Sequence, residues 1–108
     1  MSAPRPGRAA RGSASGRPIM ALLDLLGRRW ALRILWELRG GPLTFRPLQA
    51  ASDGISPSVL NARLAELREA GIVEQRAGEG YALTVEGERL LAALAPLQAW
   101  AARWGKRA

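Results

Sequence analysis

The chain has 108 residues, 48% of them apolar, with a formal net charge of +7 and a sequence pI near 11.6. That length suits one domain with a modest core, and a basic balance of this size points to a polyanionic partner, most simply nucleic acid. With neither Cys nor His, disulfides, thiolate nucleophiles, the usual zinc sites and the commonest general base are excluded, so no metal, cofactor or enzymatic activity is expected.

The charge is unevenly spread. Residues 1–18 hold Arg5, Arg8, Arg11 and Arg17 without a single acid, giving +4, and the rest of the chain carries only +3. Residues 1–17 are rich in Pro, Gly, Ser, Ala and Arg, and cannot bury enough apolar surface to offset their ordering entropy. A disordered basic tail is expected there, ahead of one folded unit over residues 18–108. The tail reads either as an arm on DNA phosphates or, as composition favours, as a solvated segment. It has no apolar h-region, which argues against secretion. No run of 18 apolar residues is present to span a membrane.

From Pro18 the pattern becomes helical. Ile19, Leu22, Leu23 and Leu26 form a short stripe that ends at Gly27. Trp30, Ile34 and Leu38 repeat at four-residue spacing on a second helix, widened by Leu35 and stopped by Gly40-Gly41-Pro42. Thr44 suits the N-cap of a short third helix carrying Phe45, Leu48 and Ala51, with Pro47 tolerated in its first turn. Ser52-Asp53-Gly54 makes a turn.

The stretch Gly54–Val73 organises the rest. Ser56 serves as an N-cap and Pro57 suits the first helical position. Leu60, Leu64 and Leu67 fall at i, i+4, i+7 on one buried stripe, while Ser58, Asn61, Ala62, Ala65 and Glu69 lie opposite. Gly71 ends the helix as a C′ residue. The outward face is small and weakly charged, so a flat surface can approach it closely. A core helix followed by a hairpin in any small α+β domain is the plainer reading of this stretch.

Ile72–Arg76 and Tyr81–Leu83 flank a Gly-containing loop and read as a short hairpin. Thr84 then caps a last helix, with Glu86 and Glu88 in its first turn to suit the dipole. Leu90, Leu94, Leu97, Ala101 and Trp104 follow at alternating steps of four and three, with Leu91 and Trp100 beside them. Pro96 predicts a kink. The seam has more apolar surface than a small monomer readily covers. It is read as a dimerisation helix, the alternative being a helix folded back on the first helix of its own chain.

Three blocks together resemble the HxlR-type winged helix-turn-helix transcriptional regulators, a MarR-like DNA-binding fold. They are GRRWALRILWEL, LTFRPLQAASDGISPSVLNARLAELREAGIVEQR and YALTVEGERLLAALAPLQAW, in the family's order and spacing from Leu22 to Trp104. ISPSVLNARLAELREAGIV is the most specific of them. The resemblance implies a mainly α fold with a two-stranded wing and a C-terminal dimerisation helix. It implies a bacterial, cytoplasmic, nucleoid-associated homodimer acting as repressor or autoregulator on double-stranded DNA. Two recognition helices would enter successive major grooves of a pseudo-palindromic operator, about 34 Å apart. Base contacts are expected from Ser56, Ser58, Asn61 and Ala62, and phosphate contacts from Arg28, Arg29, Arg46, Arg63 and Arg76. Leu90, Leu94, Leu97, Trp100, Ala101 and Trp104 are expected at the dimer interface.

Departures from the family pattern carry consequences. Many members place a Cys before the first helix; this chain has Arg17-Pro18 there and no thiol to sense with. The family's GGKW reads Gly27-Arg28-Arg29-Trp30. Pro47 stands where an acid is usual; if that acid pairs with the arginine matched by Arg63, then Arg63 is free to reach a phosphate. The wing is short, lacks the family's proline and carries Glu79 at its tip, which phosphate repels. Two rival readings remain. One is a winged helix used as a protein-interaction module, supported by the modest charge of the folded part. The other is a switch for an unknown small-molecule effector, with Trp30, Trp36, Trp100 or Trp104 lining an apolar pocket.

Overall fold

A computed structural model of the chain describes residues 17–106. The basic tail expected over residues 1–17 lies outside them except for Arg17, the N-cap residue of the first helix. The elements run α1 (Pro18–Leu26), α2 (Ala31–Glu37), a 3₁₀ turn (Leu38–Gly40), α3 (Phe45–Ala51), α4 (Pro57–Glu69), β1 (Val73–Arg76), β2 (Gly80–Leu83) and α5 (Val85–Gly105). This is the order of a winged helix-turn-helix: α3 and α4 form the motif, β1 and β2 the wing.

The helix-turn-helix forms for local reasons. Pro47 sits at the third position of α3, where its missing N–H interrupts nothing. Leu48 is fully buried, and Ser52 closes α3 by donating its N–H to the Leu48 carbonyl at 3.1 Å. In α4, Ser56 Oγ accepts from the Val59 N–H at 3.2 Å, and Pro57 occupies the first helical position. Leu60, Leu64 and Leu67 are buried, as the spacing requires. The helix then stops in a Schellman motif. Gly71 adopts φ +78, its N–H donates to Arg68, and the Ile72 N–H donates to Leu67 at 3.0 Å.

The core gathers Leu25, Ile34, Leu35, Leu38, Leu48, Ile55, Leu60, Leu64, Leu67, Ile72, Val73 and Leu83. Every element from α1 to β2 contributes, which docks α4 on the others through its leucine stripe. The antiparallel wing pairs Val73 with Leu83 and Arg76 with Gly80. Its second strand gains another neighbour that the sequence did not announce. Leu43, just before α3, exchanges both backbone hydrogen bonds with Tyr81, at 2.9 and 2.8 Å.

The start of α5 is locked onto the end of α4. Thr84 Oγ1 donates to the Gly71 carbonyl at 2.6 Å and accepts from the Gly87 N–H at 3.1 Å, while the Thr84 N–H donates to the Ile72 carbonyl. Gly87 is buried here, and a Cβ on it would stand 2.2 Å from the Ile72 oxygen. The close approach exists because residue 87 has no side chain.

Several expectations need correction. On α1, Ala21 and Leu25 face inward, while Ile19 and Leu23 are exposed. The helix is apolar on more than one face, so its own period could not choose among them. Trp30 is not within the second helix. It is the N-cap of α2 at φ +77, a left-handed conformation that costs a residue with a Cβ about 1–2 kcal/mol; its ring packs against the core. Thr44 occupies the N-cap of α3 but makes no side-chain capping bond. Pro96 lies inside the 21-residue helix α5, where the sequence placed it.

Candidate nucleic-acid interface

The outer face of α4 presents Ser56, Ser58, Asn61, Ala62 and Ala65, all exposed. Ser56 and Ser58 lie with their hydroxyls 3.3 Å apart, and the Ser56 oxygen is already engaged as the helix cap. Either hydroxyl can donate to the other, which leaves one O–H of the pair for an outside acceptor. Asn61 makes no side-chain hydrogen bond among the described residues, so its carbonyl and amide are both open to a ligand. Ala62, the next residue, leaves beside it a surface without charge.

The five arginines expected on phosphates divide into three groups. Arg29 and Arg46 are exposed. Arg29 lies over the Trp30 ring, 5.4 Å from its centroid. Arg46 borders an open cleft of about 530 Å³ between α3 and the start of α4, with Phe45, Gln49 and Pro57. Arg76 forms the second group alone. Its Nε donates to Glu74 at 2.7 Å, and that hydrogen bond, acting against partial desolvation, raises its pKa above the ordinary guanidinium value.

Arg28 and Arg63 form the third group, and here the expectation of a free Arg63 is overturned. Arg63 donates through Nη1 to Glu66 at 2.8 Å and through Nε to the Arg29 carbonyl at 2.9 Å. Arg28 pairs with the other oxygen of Glu66, and Asp24 stands 3.7 Å away. Pro47 does not leave Arg63 free, because Glu66, three residues on from Arg63, accepts from it. Both pairings have a sequence signature in hindsight, Asp24–Arg28 at i, i+4 and Arg63–Glu66 at i, i+3.

Arg33 escaped the sequence reading altogether. From α2 it donates to the Ala51 carbonyl at 2.7 Å and to Glu37 at 2.8 Å, with Asp53 at 3.4 Å. It ties the turn of the helix-turn-helix to the supporting helix. Nothing local in the sequence reports a contact spanning 18 residues.

On α5 the expected interface residues separate along the helix. Leu90 and Leu91 pack on the core, and Leu94 is partly buried. Leu97, Trp100, Ala101 and Trp104 are exposed, with Trp100 and Trp104 stacked at a centroid distance of 5.8 Å. Of the four tryptophans weighed as a pocket lining, Trp30 borders an open cleft of about 330 Å³ with Leu26 and Leu32. Trp36 instead lies under the Arg39 guanidinium, 3.8 Å from it. No helix among the described residues is long and apolar enough to cross a membrane.

Comparison with known proteins agrees with this architecture. Residues 25–108 match the HxlR-like helix-turn-helix family. The uncharacterized HTH-type transcriptional regulator YvaP of Bacillus subtilis is 33% identical over 88 residues, covering 76% of this chain and 82% of YvaP. The crystal structure of quinone-bound YodB from B. subtilis superimposes with a TM-score of 0.74 at 35% identity, covering 79% of this chain and 94% of that one. A possible HxlR family transcriptional factor from Thermoplasma volcanium GSS1 gives a TM-score of 0.71 at 30% identity, covering 82% and 85%. The chain belongs to the HxlR-like helix-turn-helix family and is a transcriptional regulator with a DNA-binding helix-turn-helix.

Proposed function

We propose that the protein binds a pseudo-palindromic operator as a homodimer and acts as a repressor or autoregulator by occupying it. The observation that carries this reading is the outer face of α4. A helix whose inner stripe is fully buried presents Ser58, Asn61 and Ala62 outward, with the Asn61 amide uncommitted. Asn can bond adenine N6 and N7 together, and Ala can meet a thymine methyl. Arg29 and Arg46 flank that face and supply sequence-independent attraction to phosphate. Arg76 contributes to the extent that phosphate competes with Glu74 for it.

The homodimer reading draws on α1 and α5. Ile19 and Leu23 on α1, and Leu97, Trp100 and Trp104 on α5, are exposed apolar side chains at helical spacing, and a second copy would cover them. Sedimentation equilibrium of the wild type and of Leu97→Glu tests it; a wild-type monomer at micromolar concentration refutes it.

Selection of sites from a random duplex pool at near-physiological salt tests the whole reading. Enrichment of an inverted repeat with half-sites about one helical turn apart is expected. Recovery of no motif, with weak salt-sensitive binding only, moves the assignment to a winged-helix protein-interaction module. An effector reading is favoured by one observation, the open cleft bordered by Leu26, Trp30 and Leu32 and by Arg28, Arg29 and Arg33, in a relative of a regulator solved with quinone. In this chain an aromatic carrying hydrogen-bond acceptors for the arginines would bind there without thiol chemistry, since no Cys exists. Quenching of tryptophan fluorescence by small quinones tests that, and its loss in Trp30→Phe locates the site.

A further inference from the structure

We propose that Glu66 determines the specificity of this regulator by restraining two arginines that would otherwise join the phosphate contacts. The inference rests on the DNA-binding reading above and concerns how that same surface discriminates between sequences.

Glu66 lies on α4 between the buried Leu64 and Leu67, with a side chain only 12% exposed. One of its oxygens accepts from Arg28 and the other from Arg63, so a single carboxylate holds two guanidiniums. The Arg28 side chain is 10% exposed and that of Arg63 23% exposed. Pairs this sheltered are little screened by salt. The grip is also structural: Arg63 reaches from α4 to the Arg29 carbonyl. Glu66 thereby fastens the recognition helix to the loop between α1 and α2. The same groups border a cleft of about 540 Å³ with Arg29, Ala62 and Ala65, so they sit beside the base-reading face, where a phosphate backbone would pass.

The hold on Arg28 is incomplete. Its Nε has no hydrogen-bond partner among the described residues, although buried donors are ordinarily satisfied. Without Glu66, the guanidinium keeps Asp24, 3.7 Å away, as its remaining carboxylate among the described residues, so its sheltered charge is only partly compensated, which is unfavourable. Rotation toward an external anion relieves it. Nonspecific DNA binding is built from such contacts, each steepening the dependence of log K on log salt by about 0.9. At 0.1 M salt that corresponds to roughly 5–10-fold in affinity for each released cation. Release gives affinity to every sequence alike and loosens the helix that reads bases. Discrimination falls on both counts.

The test uses the full-length Glu66→Gln protein, which keeps the shape and an acceptor oxygen but removes the charge. Affinity for a scrambled duplex is measured against salt, beside the selected site and beside Glu86→Gln. Glu86 pairs with Arg89 on α5 in an exposed bridge, so that variant makes the same change in net charge elsewhere. Glu66→Gln should bind scrambled DNA about 5–50-fold more tightly at 0.1 M salt, with a slope steeper by about one to two. Its ratio of specific to scrambled affinity should fall. An unchanged slope overturns the proposal, and so does an equal effect from Glu86→Gln, which would mean net charge alone. Should Glu66→Gln fail to fold, Arg28→Gln and Arg63→Gln read the same point from the other side. They should leave the wild-type slope on scrambled DNA unchanged, and a drop of about one in either shows the arginine already on phosphate. If wild type and variants alike bind no duplex at low salt, it is the DNA-binding reading that fails.

Discussion

Replacing Gly87 by Ala should destabilise the fold, although the change favours a helix in isolation. A Cβ at this position would stand 2.2 Å from the Ile72 carbonyl oxygen and 3.3 Å from Leu83 Cβ. Ordinary van der Waals contact begins near 3.4 Å, so α5 must retreat by roughly 1 Å. The obstacle is backbone, which cannot rotate aside, and the same oxygen accepts from the Thr84 N–H at 3.0 Å. Overpacking of this kind costs about 1–3 kcal/mol. Weakening the Thr84 cap adds about 1 kcal/mol, and the gain in helix propensity returns at most about 1 kcal/mol. A net loss of about 2 kcal/mol is expected. In a domain of this size that lowers Tm by about 8–16 °C. Thermal unfolding at fixed protein concentration measures it, with Gly40→Ala as the reference. Gly40 has no atom within 4 Å of its built Cβ and no positive φ, so that variant should shift Tm by no more than a few degrees. A Gly87→Ala protein as stable as wild type would refute the claim that this contact is closed by backbone.

Three further outcomes follow from the same geometry. Asn61→Ala should cost about 1–3 kcal/mol on the selected site and little on scrambled DNA, relaxing preference at one base pair; equal losses on both would remove Asn61 from base reading. Arg46→Ala should weaken binding to both sequences alike and reduce the salt slope by about 0.9, as a lost phosphate contact does; titrations at four salt concentrations decide. Ser52→Ala should leave stability unchanged or raise it by about 1 kcal/mol, because the fully buried Ser52 hydroxyl has no partner among the described residues. A destabilised Ser52→Ala in urea unfolding would show that the hydroxyl is satisfied after all.

The parts of this fold that could be read directly were those decided within about ten residues. Ser56, Pro57, the leucines of α4 and Gly71 each act on backbone groups or faces of one helix, so their pattern is their explanation. Thr84 belongs to the same class, since cap and capped N–H lie three residues apart. Position by position, failures came where a second element made the decision. Whether Ile19 or Ala21 faces inward depends on where α2 lies. The Leu43–Tyr81 bridge joins segments 38 residues apart, and neither carries a local sign of it. The candidate site divides in the same way. Exposure of Ser58, Asn61 and Ala62 follows from the helix wheel, whereas the state of each arginine depends on which carboxylate folding brings beside it. Glu66 gives no local sign of Arg28, which lies 38 residues earlier. Its neighbours on α4, Leu64 and Leu67, already placed it near the edge of the buried stripe.

The knot at the end of α4 has a mechanical consequence. Thr84 fastens the first turn of α5 to the two carbonyls that follow the recognition helix, and Gly87 leaves no slack between them. A helix of 21 residues is about 30 Å long. With its base clamped to α4, α5 acts as a lever, and a tilt of about 5° carries its far end through about 2.6 Å. In a dimer joined along Leu97, Trp100 and Trp104, the lever runs the other way. A small change in how the two tips meet is delivered to both recognition helices as a change in their separation. In the homodimer proposed above, an effector that repacked the tryptophan tip would act on both DNA-reading faces through α5 without touching either.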